Sequence, residues 1–591
     1  MADTNPENKI DQELHISETC KVASSISCVD DEDLVAANSA INNGDLKAAI
    51  QLFSKIVERD SSNLDNLSRY CELLTLNGEL SRAALLLKAA IREESDSFIL
   101  NLTLANILLT GNRFSSEALF YSAQALALSP NNIQAIIIRS LALRRDGRLR
   151  EALALLEVSR SKEPSDPRIY KELSDLYCSI GDLIRERAIL DEASRISIAH
   201  DGMIARIKEI DTLVGASRTA EPFPRVTVVI PTCSGRLHLD SLLLSLDRQK
   251  YPYFDIVIVD DNSIEDLSTD LQNQRGDILV YRTKERVGYA ESCNIGLDLS
   301  ATELVTYIND DTKVDELWLF SLVSRISQDR RCAVVTSKVL FWHKFVPVHI
   351  ESSSPVVVKR EPLIQALKSY PKIFVDRGDI SKDGARDWII KDRSRFLIPR
   401  VNAKAKFIFQ ALEPKSSEPI VVKVKFGEQL FEFNLTQEHY ELELDTSCAD
   451  SHAVDVINNA GSDLSKDGVA KDIGLGWPDR KQHDKQVDLS AFCGCSFIIR
   501  RSALGNEPLF SPILKAYWED TELSVRLRER GYRIAYEPKS IVRHKHASTS
   551  EEYSDFFWRF VIRNEYIFLK THFSVMLAQR RLSSALRRLI R

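Results

Sequence analysis

Two periodicities divide this chain. Over the first third, apolar residues recur three and four apart, as in Leu52, Phe53 and Ile56 or Leu153, Leu155 and Leu156, a spacing that gives a helix one apolar face. Glycine turns interrupt it at Asn43-Gly44-Asp45, Asn77-Gly78-Glu79, Thr110-Gly111-Asn112, Asp146-Gly147-Arg148 and Ile180-Gly181-Asp182, with glycine spacings of 34, 33, 36 and 34 residues. Polar breakers alternate with them at Asp60-Ser61-Ser62-Asn63, Ser129-Pro130-Asn131-Asn132 and Glu163-Pro164-Ser165-Asp166-Pro167. Helix, glycine turn, helix, polar turn predicts a superhelix over 33–215 in which each unit buries its apolar face against its neighbours. A generic helical bundle is the plainer alternative.

After Pro222-Phe223-Pro224 the pattern becomes strand-like. Short β-branched runs, Arg225–Ile230 and Phe254–Val259, flank a helical stretch, and Ile278–Tyr281 follows. That rhythm predicts a parallel α/β sheet with its working edge at the strand C-termini. From about 346 to 452 strict alternation takes over, in Lys404–Gln410, Pro419–Phe426, Gln429–Asn434 and Tyr440–Leu444. It predicts an inserted antiparallel sheet, with Trp388 as its main aromatic candidate for an exposed face. The α/β pattern, interrupted after 224–345, resumes over 453–575.

Composition changes this picture little. The chain has 591 residues, 44% of them hydrophobic and 28% charged, enough to build several cores. A formal charge of −7 gives no reason to expect nucleic acid as a partner. Residues 1–32 are polar and acidic, predicting a solvated arm. No basic start with an apolar run marks a secretory signal, no stretch reaches the roughly 18 apolar residues of a spanning helix, and the ten cysteines form no ladder of spacings. A cytoplasmic location is expected. The tail differs: residues 555–591 carry eight Arg or Lys against Asp555 and Glu565. Its last part, 576–591, reads as a basic helix and a candidate for peripheral contact with the inner face of a membrane.

Acidic motifs close the predicted strands: Asp260-Asp261-Asn262-Ser263 and Asn309-Asp310-Asp311-Thr312. Taken alone, the first reads more readily as an acidic turn capping a helix, and the second reads equally as a turn. Gly288-Tyr289-Ala290 leads to Asn294-Ile295-Gly296, and no GxGxxG follows a strand, which counts against a dehydrogenase. Tyr517-Trp518-Glu519-Asp520 opens a helix, where acids are also favoured by the helix dipole. His544 and His546 stand two apart in Val542–Ser548, on one side of an extended segment.

The repeat resembles the tetratricopeptide family, with Ala48, Ala84 and Ala118 at positions where helices pack closely, which implies a protein-docking surface. The motifs from Val226 to Thr312, with Phe492–Arg501, Trp518–Tyr536 and Val542–Ser550, resemble family 2 glycosyltransferases, inverting enzymes of the GT-A fold, and the bacterial rhamnosyltransferase-like members above all. The resemblance implies a Rossmann-like nucleotide-diphosphosugar domain and a sugar donor, rhamnose being the suggestion of family likeness alone. The acceptor would be a hydroxyl on a glycan, a lipid-linked oligosaccharide or a protein, as in polysaccharide synthesis. It further implies a nucleotide-sugar site of Pro231, Thr232, Asp260, Asp261, Gly288, Asn294 and Asp310. Asp311 and His544 would hold Mn²⁺ or Mg²⁺, Asp520 would act as general base, and Glu519 would support it. Asn309 stands where the family's metal motif has its first Asp. A scaffold that binds without turning over is the alternative reading. A nucleotidyltransferase is disfavoured by the lack of a Gly-rich basic loop.

Overall fold

The computed structural model describes residues 32–111, 115–216, 223–268, 271, 278–367, 370, 372–382, 387–412, 419–435, 439–447, 450–545 and 555–590. The expected acidic arm lies outside these except for Glu32, and His546 lies outside them too. The chain divides into two compact units, Met1–Phe223 and Pro224–Arg591.

The first unit is an all-helical repeat, with eleven helices among the described residues from Glu32–Asn42 to Asp201–Ala216. Its turns follow from the sequence. Gly44, Gly78, Gly147 and Gly181 have φ of +73°, +85°, +81° and +76°, a region that other residues enter only at a cost. The polar breakers supply caps: Asn63, Asn132 and Asp166 accept hydrogen bonds from the backbone N–H groups of Asn66, Ala135 and Arg168, each cap worth about 1 kcal/mol. Gly111 departs, with φ −99°. Of the expected close-packing alanines, Ala84 and Ala118 are buried, and only Ala48 departs. Ala49, Ala83 and Ala152, each five residues after a turn glycine, are fully buried, whereas Ala48 is only half-buried.

The second unit is built on one mixed sheet of the GT-A type. Its strands are β1 (Val226–Thr232), β2 (Phe254–Asp260), β3 (Ile278–Arg282), β4 (Leu304–Ile308), β5 (Thr312–Val314), β6 (Cys332–Phe341), β15 (Ile457–Asn459), β18 (Val487–Leu489), β19 (Ser496–Arg500) and β20 (Arg533–His544). The order along the sheet is β18-β20-β6-β19-β4-β1-β2-β3. β3, β2, β1 and β4 run parallel. β19 is antiparallel to β4, and β20 is parallel to β6. β1 and β4 are buried along their whole length, as strands covered on both faces must be.

Helix Tyr289–Leu299 seats directly on β1. A Cβ at Gly296 would stand 2.2 Å from Val229 Cγ1, so only glycine permits that approach. Gly296→Ala is expected to destabilise this unit by about 1–3 kcal/mol through overpacking; a urea melt with an unchanged midpoint would contradict this seating.

Between β6 and β15 lies the antiparallel sheet: β7 (Phe345–Ser352), β8 (Val356–Val358), β9 (Phe374–Lys382), β10 (Trp388–Pro399), β11 (Lys404–Ala411), β12 (Ile420–Phe426), β13 (Gln429–Leu435) and β14 (Tyr440–Asp445). It curls until Phe433 of β13 meets Phe409 of β11 and Tyr440 of β14, at ring separations of 5.3 and 3.7 Å. Trp388 is not an exposed platform. It is 6% exposed and packs edge-on against Phe396, because its position in β10 falls on the apolar face.

Helices Asp555–His572 and Val575–Ile590 close the chain; Phe568 and Leu569 of the first form a small core with Val525 and Trp518. Among the described residues no helix is long and apolar enough to cross a membrane, and seven cysteines, including Cys493 and Cys495, are free.

Candidate active site

Strand register brings the acidic motifs together. β4 pairs antiparallel with β19 so that Ile308 lies opposite Ser496; beyond that pair the chains lead to Asn309–Asp311 on one side and Cys493–Cys495 on the other. Asn309 N–H donates to Cys495 O at 3.1 Å, and Gly494 N–H donates to Asp520 Oδ2 at 2.8 Å. β20 joins the same end, with His544 opposite Thr312 of β5. Asp311, His544 and Asp520, read from three distant segments, therefore share one edge of one sheet.

His544 Nε2 lies 3.1 Å from Asp311 Oδ1, and its Nδ1 is 3.2 Å from Asn458 Oδ1. Asn458 orients the ring, as partners of metal-binding imidazoles do. Asp310 turns the other way: Thr232 Oγ1 donates to its Oδ2 at 2.6 Å, and burial pushes its carboxyl up to about 6. Pro231 is buried in β1 beside Thr232. Asn309 Oδ1 is buried without a hydrogen-bond partner.

Three expected nucleotide contacts are otherwise engaged. Asp260 is fully buried, its Oδ2 paired with Arg282 at 2.5 Å and its Oδ1 accepting from Ser263 N–H; it braces the strand end and offers no surface. Asp261 accepts from the backbone N–H groups of Val287 at 2.7 Å and Gly288 at 2.9 Å, shaping the loop that leads into helix Tyr289–Leu299. Asn294 exchanges two 3.0 Å hydrogen bonds with the backbone of Phe510, a staple between segments. Gly288, at φ +93°, is the pivot of the loop.

Asp520 Oδ1 accepts from Thr521 N–H. Burial pushes its carboxyl up to about 6, with the charge of Asp472 adding to the effect; burial and the Asp520 charge push Glu519 up to about 8. Two buried carboxyls side by side resist ionising together, so the pair favours sharing a single negative charge.

The backbone before this pair is strained: Lys515, Tyr517 and Trp518 have φ of +59°, +67° and +72°, and such residues persist only where their surroundings hold them. What holds them is Asn564, from helix Asp555–His572. It is fully buried, and its Nδ2 lies within hydrogen-bonding distance of the carbonyls of Leu514, Ala516 and Tyr517, at 2.6, 2.7 and 3.0 Å. Lys515 O in turn accepts from Ala290 N–H, tying the turn to the Gly288 loop. The sequence gives no local signal for Asn564.

Among the described residues no group of three or more His, Cys, Asp or Glu is placed to hold a metal. Asp311 and His544 offer one oxygen and one nitrogen donor, which suits a divalent ion that takes its remaining ligands from a phosphate and water.

Residues 227–389 match the family model described as Glycosyl transferase family 2. The match runs from β1 into β10 and stops before Asp520 and His544. A Campylobacter jejuni protein, GalNAc(5)-diNAcBac-PP-undecaprenol beta-1,3-glucosyltransferase, is 27% identical over 109 residues, 18% of this chain, and the chain spans 35% of its length. Among solved structures, GalNAc-T7 with UDP, GalNAc and Mn²⁺ is similar over 59% of this chain and 48% of its own, at 14% identity and TM-score 0.34. S. aureus TarS 1-349 is similar over 61% and 70%, at 12% identity and TM-score 0.28. A thermophilic TPR protein of Thermus thermophilus, TTC0263, is similar over 30% and 97%, at 18% identity and TM-score 0.27. The family match and the sheet that carries it make residues 227–389 similar to a glycosyl transferase family 2 domain.

Proposed function

We propose that this chain is an inverting glycosyltransferase that moves a sugar from a nucleotide diphosphate to a hydroxyl of a glycan, a lipid-linked oligosaccharide or a protein. The observation that carries the reading is the meeting of Asp311, His544 and Asp520 at one sheet edge through the Asn309–Cys495 and Gly494–Asp520 hydrogen bonds. A base and a leaving-group site are then neighbours.

Asp520 takes the proton of the acceptor hydroxyl as its oxygen attacks the anomeric carbon. The new carbon–oxygen bond forms on one face while the bond to the diphosphate breaks on the other, and the electron pair leaves with the nucleoside diphosphate. Burial and the neighbouring Asp520 charge disfavour the ionised form of Glu519, which leaves Asp520 as the one base and fits single displacement with inversion. Asp311 and His544 would hold a divalent cation, Mn²⁺ or Mg²⁺, which supplies charge stabilisation to the departing diphosphate. Thr232, Asp310 and the loop shaped by Asp261 and Gly288 would line the donor site. The repeat unit would dock a protein partner.

Asn309 favours a second reading, a binder without turnover, because an amide contributes no charge where a carboxylate would strengthen cation binding. One experiment separates the two: binding and hydrolysis of a panel of nucleotide sugars, with and without Mn²⁺ or Mg²⁺. Turnover of one donor supports the transferase; binding without turnover supports the second reading; no binding sinks both.

Asn564 acts here as a positioning residue. Asn564→Ala is expected to lower kcat about 10- to 100-fold, since a small misplacement of the base suffices for that, while donor binding by calorimetry stays near wild type. Equal loss of both would point to general unfolding of the site.

A further inference from the structure

A cavity of about 610 Å³ opens beside the Asp520 segment, walled by the hairpin of β16 (Ser462–Leu464) and β17 (Ala470–Asp472), by the loop Ile473–Trp477, by Val487–Ser490 and by His483, whose ring lies 6.1 Å from that of Trp477. From Ser490 the chain continues through Phe492, whose N–H donates to Ser524 Oγ, to Gly494, whose N–H donates to Asp520. Asp472, in the cavity wall, is near enough for its charge to act on Asp520.

The wall has a distinct chemistry. Trp477 is 58% exposed, the largest side chain in the wall. It is presented by Gly474 and Gly476, at φ +77° and +78°, where a Cβ would stand 3.1 Å from Ile457 and 2.6 Å from Phe374 respectively. Around it, Asp472 accepts from Asn459 Nδ2 at 2.8 Å and from Ser462 Oγ at 3.0 Å, and Asp463 accepts from Ser490 Oγ at 2.6 Å. An indole face stacks on the C–H face of a sugar ring, and pre-oriented carboxylates accept from its hydroxyls. Asp488 is paired with Arg533, and the remaining acids of the wall, Asp463 and Asp472 against Lys471, disfavour an anionic ring.

From this we infer that the Trp477 cavity is the acceptor subsite of the proposed transferase, and that it takes a neutral pyranose stacked on the indole with its hydroxyls on Asp463 and Asp472. The inference rests on the transferase reading for its role, but its binding test does not need the donor.

The test is saturation-transfer NMR on the full chain with the methyl β-glycosides of glucose, galactose, N-acetylglucosamine and glucuronate as probes, beside calorimetry with UDP, GDP and dTDP plus Mn²⁺. The expected result is saturation of the ring C–H protons of at least one neutral glycoside and none for the glucuronide. Trp477→Ala should weaken that binding about tenfold, and Trp477→Phe should keep most of it. Nucleotide affinity should be the same in all three proteins, which also shows that the variants are folded. The inference is overturned if no neutral glycoside binds the wild type, if Trp477→Ala binds as well as the wild type, or if the glucuronide binds best. Absent nucleotide binding beside intact glycoside binding would instead sink the transferase reading.

Discussion

Asp520→Asn is expected to lower the rate of sugar transfer about 10²- to 10⁴-fold, the contribution of a positioned general base, while the donor still binds. The amide keeps the shape of the side chain and one carbonyl oxygen able to accept from Gly494 N–H, so the Glu519–Thr521 turn should hold its place. It cannot take a proton. Because burial pushes the Asp520 carboxyl up to about 6, the wild-type base is protonated and idle below that pH. kcat/KM should therefore rise as pH increases through about 6 and level off above it, and the residual activity of Asp520→Asn should lack that limb. A steady-state pH profile of both proteins checks the sign. A profile unchanged by the substitution would remove Asp520 from the role of base.

Much of this arrangement was legible because local chemistry announces it. β-branched runs ending in paired acids mark strand C-termini, and a parallel sheet gathers those ends along one edge; that reasoning reaches Asp261, Asp310 and Asp311. The repeat unit is legible through its glycines, since a left-handed turn every 34 residues or so leaves few other structures. The register within that repeat was less accessible. Ala48 and Ala49 are both small, and only the packing decides that Ala49 points inward. Partners brought in from afar leave no mark in a local pattern. Arg282 neutralises Asp260, and Asn294 is spent on the backbone of Phe510, 216 residues away. Asn564 governs the strained turn from a helix whose sequence reads only as aromatic and basic. The Trp477 cavity escapes for a related reason: its walls come from short segments with no periodicity. Trp388 fails in the opposite direction. An aromatic in an alternating strand is assigned to a face by its phase, and the inward phase of β10 buries it.

Asp311→Asn should lower kcat/KM for transfer by about 10²-fold or more, because leaving-group stabilisation is among the largest single terms in such displacements. The geometry makes the expectation specific to the cation. Asp311 Oδ1 faces His544 Nε2 across 3.1 Å, and with Asn309 neutral, Asp311 and His544 would be the protein's main hold on it. His544→Ala should therefore raise the Mn²⁺ concentration needed for half-maximal activity. Asn458→Ala, which frees the imidazole from its 3.2 Å partner, should raise it about 10- to 100-fold, as lost orienting partners do at metal sites. Titrating Mn²⁺ into the stripped wild type and the three variants, with the donor found in the panel, separates these effects. Full activity in chelator, unaffected by Asp311→Asn, would mean that the diphosphate is stabilised without a cation. The cationic side chains at this edge would then be the groups to test, beginning with Lys545, whose backbone N–H donates to Asp311 O and whose Nζ lies 2.9 Å from His238 Nδ1.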